Sequence, residues 1–205
     1  MCKRNLIVGL ILLVVVALAG CAQVPEQAKQ ATETAMGDAT MAGADKYATE
    51  SLAAAQALLD QAKAEEAAQS QKFALMRSYK KQQELLTQAK SQFDKAKEDA
   101  AAGKARAKAE AEQLITEAKA GLDAADAALA KAPMGKDTRA DIEAMKNDVA
   151  TYRMTITEAE GAMTTEDFLG AKAKAESVKA KAAEIESQVQ MAMEKVKAKG
   201  GGHHR

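Results

Sequence analysis

Apolar residues recur at steps of three and four along most of this chain, and only two prolines interrupt the pattern. That combination leaves few folds open. Leu86, Ala89, Phe93, Ala96, Ala100, Ala107, Ala111, Leu114, Ala118, Leu122, Ala125 and Leu129 keep the rhythm, with Gly103 in the one vacant place. Residues so spaced line one stripe of an α-helix, and a sustained period near 3.5 is the seam of a left-handed helix pair. Phe73 and Met76 extend the stripe upstream, which predicts one helix over residues 73–131. Leu52, Ala55, Leu59 and Ala62 form an earlier stripe from Thr49 onward. Ile142, Met145, Val149, Tyr152, Ile156, Ala159 and Met163 form a later one. Phe168, Ala171, Ala175, Val178, Ala182, Ile185, Val189 and Val196 form the last. Pro133-Met134-Gly135 must end the long helix, because proline has no amide to donate and glycine supplies a left-handed turn. The fold class expected is all-α, built of elongated antiparallel helical hairpins in a coiled-coil-like bundle.

Composition bears on how such helices pack. Trp is absent, Tyr and Phe number three each, and much of the 47% hydrophobic content is alanine. Alanine seams allow helix axes to approach to about 8 Å. Stability then rests on the Leu, Ile, Val, Phe and Met side chains, at about 1.5–3 kcal/mol for each one fully buried. The 29 basic and 29 acidic residues balance and alternate along the chain. Such charges mark solvated helix faces and give no support to nucleic-acid binding.

Between the stripes, three stretches decide the organisation. Residues 22–46 lack large side chains suited to a core and carry Pro25, Gly37 and Gly43, so they read as a semi-flexible spacer with a short helix over 26–36. Glu65 to Lys72 reads either as a turn or as a polar stretch of one helix. Thr164 or Thr165 is suited to cap the last helix, with Glu166 and Asp167 in its first turn. An internal echo favours the turn: Leu52, Leu59, Ala62 and then Phe73 are matched by Val149, Ile156, Ala159 and then Phe168. The expected segments are 1–20, 21–48, 49–132, 133–199 and a disordered tail over 200–205.

The first of those segments carries the most specific signal. Lys3 and Arg4 precede an apolar run from Leu6 to Ala19, and Leu18-Ala19-Gly20-Cys21 follows. As a helix the run would reach about 22 Å, short of the ~30 Å hydrocarbon core of a bilayer. A cleaved export signal has these parts in this order. The four-residue ending resembles the lipobox of bacterial lipoproteins. That resemblance implies that Leu18, Ala19 and Gly20 are read by the signal peptidase. It further implies that Cys21 becomes the first residue, with a diacylglycerol on its sulfur and an acylated amino terminus. Ala22 is not the aspartate that favours inner-membrane retention in those lipoproteins, so in a cell with two membranes the resemblance implies the outer one, facing the periplasm. Cys2 would leave with the signal, so no thiol remains for a disulfide or a nucleophile.

The body offers a second resemblance. Gly43-Ala44-x-x-Tyr47-Ala48-x-Glu50-x-Leu52, followed by Ala55, Leu59, Ala62 and an Ala/Lys/Gln-rich helix, is similar to domain of unknown function 4398. Members of that family are alanine-rich helical domains on bacterial envelope lipoproteins, often with proline where this chain has Ala48. The likeness covers about residues 43–100 and brings no catalytic residues.

Neither catalytic residues nor a metal or cofactor site can be assigned from the residues. His203 and His204 stand alone in a glycine-led tail, and no phosphate loop or nucleophile elbow occurs. Met76, Met145 and Met163 fall at seam positions, which core packing explains. The functional expectation is a membrane-anchored envelope lipoprotein, not an enzyme, with a scaffolding or protein-interaction role. Its partners would be the membrane through the Cys21 lipid, envelope proteins or copies of itself. The alternative is a periplasmic helical adaptor or chaperone-like module that binds a peptide or lipid in a groove.

Overall fold

Small inner faces let helices meet backbone to backbone, and a computed structural model of the chain shows where they do. It describes residues 23–135 and 138–201. Within them the order is α1 (Glu26–Met41), α2 (Ala44–Tyr47), α3 (Thr49–Ser70), a 3-10 turn (Ala74–Met76), α4 (Lys80–Lys131), α5 (Arg139–Thr164) and α6 (Phe168–Gly201). No strand occurs among the described residues, and the protein is all-α. It divides into two units after Gly103, inside α4 rather than at Pro133.

In the first unit, α1, α3 and the early part of α4 run up, down and up. Lys29 near the start of α1 meets Glu66 near the end of α3 at 2.9 Å. Asp38 near the end of α1 meets Lys97 at 2.8 Å, so α1 and α4 are parallel. The Thr32 hydroxyl, fully buried, lies between the carbonyls of Ala28 (2.7 Å) and Leu86 (3.0 Å) and ties the two helices together. The core comprises Ala35, Ala39, Ala55, Leu59, Ala62, Leu86, Ala89, Phe93, Ala96 and Ala100. Residues 26–41 are therefore a packed helix and not a flexible spacer; alanine suffices on their inner face because the neighbouring stripes are alanine too.

The chain reverses between α1 and α3 at a corner. Gly43 adopts φ 82°, the left-handed conformation that glycine takes without strain. Ala44 and Ala48 are buried there, and Tyr47 follows as the end of α2. Ala48 has φ −145° and donates its amide to the Ala44 carbonyl at 3.0 Å. A proline ring fixes φ near −65° and has no such amide, so this corner is one that requires a residue other than proline. Gly103 of α4 packs directly on it. A Cβ added to Gly103 would lie 2.5 Å from the Tyr47 carbonyl oxygen and 3.1 Å from the Tyr47 Cβ.

One helix over residues 73–131 does not form. The long helix begins at Lys80, and α3 continues through Glu65–Ser70 before the chain turns at residues 71–79. Phe73 and Met76 are exposed, not in the seam.

The second unit repeats the up-down-up arrangement with the later part of α4, then α5 and α6. Arg153 bridges Asp123 and Asp126 at 2.7 Å each, and Lys174 meets Glu158 at 2.6 Å; both contacts join antiparallel neighbours. Lys172–Glu110 and Lys179–Glu117, each at 2.6 Å, join the parallel pair α4 and α6 one heptad apart. Leu122, Ala125, Leu129, Val149, Ile156, Val178, Ala182 and Val189 lie in the core. Ile115 is buried there with Leu114 only half-buried beside it, and Val196 is exposed. The cap of α6 is Asp167, whose Oδ1 accepts the Gly170 amide at 3.1 Å, rather than a threonine. Glu166 precedes it at φ 60° and reaches Lys104 at 2.7 Å. The echoing residues occupy the middle helix of each unit: Leu59 and Ala62 in α3, Ile156 and Ala159 in α5.

Two outcomes follow from this packing. Alanine is favoured over glycine inside a helix by about 1 kcal/mol, but overpacking against a fixed backbone carbonyl costs about 1–3 kcal/mol. Gly103→Ala is expected to lower the unfolding temperature, as calorimetry would show; a rise would mean that the Tyr47 corner yields. Lys172 and Lys179 hold the carboxyls of Glu110 and Glu117 below the usual carboxylate value of 4.5. The folded unit thus binds these protons less readily than the unfolded chain. Their stabilisation is present above that value and is lost as pH falls through the lowered folded ones. The Glu110→Gln, Glu117→Gln double variant is expected to lose less thermal stability than the parent between neutral pH and about pH 3, measured by circular dichroism.

Candidate functional site

Leu18, Ala19, Gly20 and Cys21 lie outside the described residues, as do His203 and His204. Gln23, Val24 and Pro25 lead into α1. Val24 accepts the Glu26 amide at 2.9 Å, and Pro25 accepts that of Lys29 at 3.1 Å, so helical pairing begins at once.

The end of the first unit where α1 starts is held by two glutamates. Glu66 takes Lys29 on one oxygen and the Gln82 amide on the other at 2.7 Å, which joins all three helices. The hydrogen bond to Glu66 raises the Lys29 ammonium above its ordinary value. Gln82 is almost fully buried, and its Oε1 has no hydrogen-bond partner. Glu65 accepts from Gln69 at 2.7 Å and from Lys81 at 3.0 Å, and these contacts, Gln69 first, pull its carboxyl below the usual range.

Above these glutamates the chain turns at residues 71–79. Gln69, itself buried, uses its Oε1 to accept the Ser78 amide at 3.1 Å. Arg77 donates to the carbonyls of Ser70 (2.9 Å) and Lys72 (3.0 Å). The buried Tyr79 closes the turn and accepts the first amide bond of α4 from Gln83. With the backbone pinned in this way, Phe73, Leu75 and Met76 stand out at 81%, 82% and 75% exposure. The three-four rhythm placed Phe73 and Met76 inside. A signal against that is present: Phe73, Leu75 and Met76 are spaced two and one apart, which no single helical stripe accommodates, and cations flank them.

The second unit has an open groove of about 950 Å³ between α5 and α6, beside the turn at Pro133. Ile142, Met145, Val189, Met191 and Val196 line it, with Asp141, Asp148 and Lys195 among its polar groups. Met191 and Val196 are exposed at 51% and 42%. Among the described residues, no group of three or more His, Cys, Asp or Glu is placed to hold a metal ion. No helix of the described residues is long and apolar enough to cross a membrane. In comparisons with protein families, curated proteins and solved structures, nothing matches this chain.

Proposed function

We propose that this is a lipid-anchored lipoprotein of the bacterial envelope that scaffolds or binds other envelope components and carries out no catalysis. The single observation behind this reading is Leu18-Ala19-Gly20-Cys21 directly after an apolar run of signal-peptide length. Lipid on Cys21 supplies membrane attachment, with each buried CH₂ of its chains contributing about 0.8 kcal/mol. The all-α body supports the rest: its exposed helix faces carry alternating charge and offer broad surfaces for partner helices. Ala22 after the cysteine favours the outer membrane on its periplasmic side. Likeness to domain of unknown function 4398 over residues 43–100 points to the same class. Radioactive palmitate supplied to expressing cells is expected to label the protein, and Cys21→Ala to abolish the label. Retained label in that variant would refute the anchor.

The groove between α5 and α6 favours a second reading, a periplasmic adaptor or chaperone-like module that accepts an apolar peptide or lipid chain. Its volume suits a small apolar ligand, and methionines line it, which adapt to varied shapes. An environment-sensitive apolar dye is expected to brighten on binding, with the Met191→Glu variant losing most of the signal. Equal signal from both proteins would remove this reading.

A further inference from the structure

We propose that the turn at residues 71–79 is a second membrane contact, resting its apolar tip in the headgroup region of an anionic lipid surface. The proposal rests in part on the lipid-anchored reading, which supplies the membrane. Three observations carry it. The first is the tip itself: Phe73, Leu75 and Met76 are displayed together by a turn that Gln69 and Arg77 hold in place. A convex apolar tip with a fixed backbone fits a fluid interface better than it fits a protein surface, which would need a matching pocket.

The second is charge. From Ser70 to Gln83 the chain carries Lys72, Arg77, Lys80 and Lys81 and no acidic residue. At this end of the packed helices, Glu65 and Glu66 are each engaged by a lysine and a glutamine, and Glu26 lies 3.6 Å from Lys29. Apolar side chains with cations on both sides in sequence match the hydrocarbon boundary and the anionic headgroups of a bilayer. The same excess of positive charge disfavours a second copy of the tip.

The third is position. The tip lies at the end of the first unit where α1 starts, as the Lys29–Glu66 and Glu66–Gln82 contacts require. The backbone from Cys21 to Glu26 spans at most about 18 Å. A lipid on Cys21 therefore brings this end, not the Gly43 corner, to the bilayer.

The protein contains no tryptophan, so a single one reports cleanly. Phe73→Trp is to be compared with Met41→Trp, which replaces a residue 82% exposed at the opposite end of the unit. Each full-length chain is purified from membranes and reconstituted into vesicles of phosphatidylethanolamine and phosphatidylglycerol, part of it brominated in the acyl chains. The tip tryptophan is expected to show blue-shifted emission and several-fold stronger quenching by the brominated lipid than the corner tryptophan. Adding Lys72→Gln and Lys80→Gln, both exposed, should weaken the quenching. Equal quenching at the two sites would overturn the proposal. So would shielding of the tip from acrylamide that depends on protein concentration rather than on lipid, which would assign it to a second copy. Failure of the anchor itself reads out separately, as loss of palmitate labelling, and leaves the tryptophan comparison interpretable with vesicles added to the unlipidated chain.

Discussion

Close approach between small side chains is the constraint on which both units depend. An alanine stripe buries little apolar area, so it contributes only where the partner helix comes near enough for dense contact. Gly103 against the Tyr47 carbonyl is the clearest instance, since no side chain at all separates the two backbones there. Gly121 against Ala182 in the second unit, where an added Cβ would come within 3.2 Å of the alanine methyl, is a milder one. The few large residues, Phe93, Leu86 and Leu122 among them, then fill the remaining space and are fully buried. Exposed ion pairs add little stability singly. Repeated one heptad apart, as Lys172–Glu110 and Lys179–Glu117 are, they favour one register between parallel helices over a shifted one.

Helical periodicity made most of this architecture legible. The stripes of α3, α5 and α6 lie where the three-four steps place them, except that Val196 at the end of the last stripe is exposed, and Pro133-Met134-Gly135 separates α4 from α5. Three features were not legible, each for a physical reason. Residues 26–41 carry no large apolar side chain in their buried stripe, yet alanine against alanine suffices, so low hydrophobicity did not mean an unpacked spacer. The break at 71–79 has neither glycine nor proline; Gln69 and Arg77 supply the hydrogen bonds that helix would have supplied. That capping is not read from the pattern, and the break's mark in the sequence is the irregular spacing of Phe73, Leu75 and Met76. The division at Gly103 falls inside a continuous helix, where the stripe runs on and only the change of packing partners marks it. Of the candidate sites, the proposed lipobox rests on four adjacent residues, whereas the groove depends on the pairing of α5 with α6 and has no sequence of its own.

Comparison of the two phenylalanines sharpens the meaning of the exposed tip. Phe73 and Phe168 follow matching stripes, and the sequence pattern treats them alike. Phe168 opens α6, is 5% exposed, and has the Lys104 ammonium 5.9 Å from its ring centre. Phe73 precedes its helix instead and is 81% exposed. Burying such a side chain contributes about 1.5–3 kcal/mol, a large gain for a core made mainly of alanine. The second unit realises that gain and the first does not, although Gln69 and Arg77 hold the turn that carries Phe73 by hydrogen bonds. A fold that fixes three apolar side chains outward, while a near-copy of the pattern buries its counterpart, is organised around something outside the unit that takes up apolar surface. The proposed contact with an anionic, apolar surface accounts for this difference, since cations flank the tip in sequence and α1 starts at the same end.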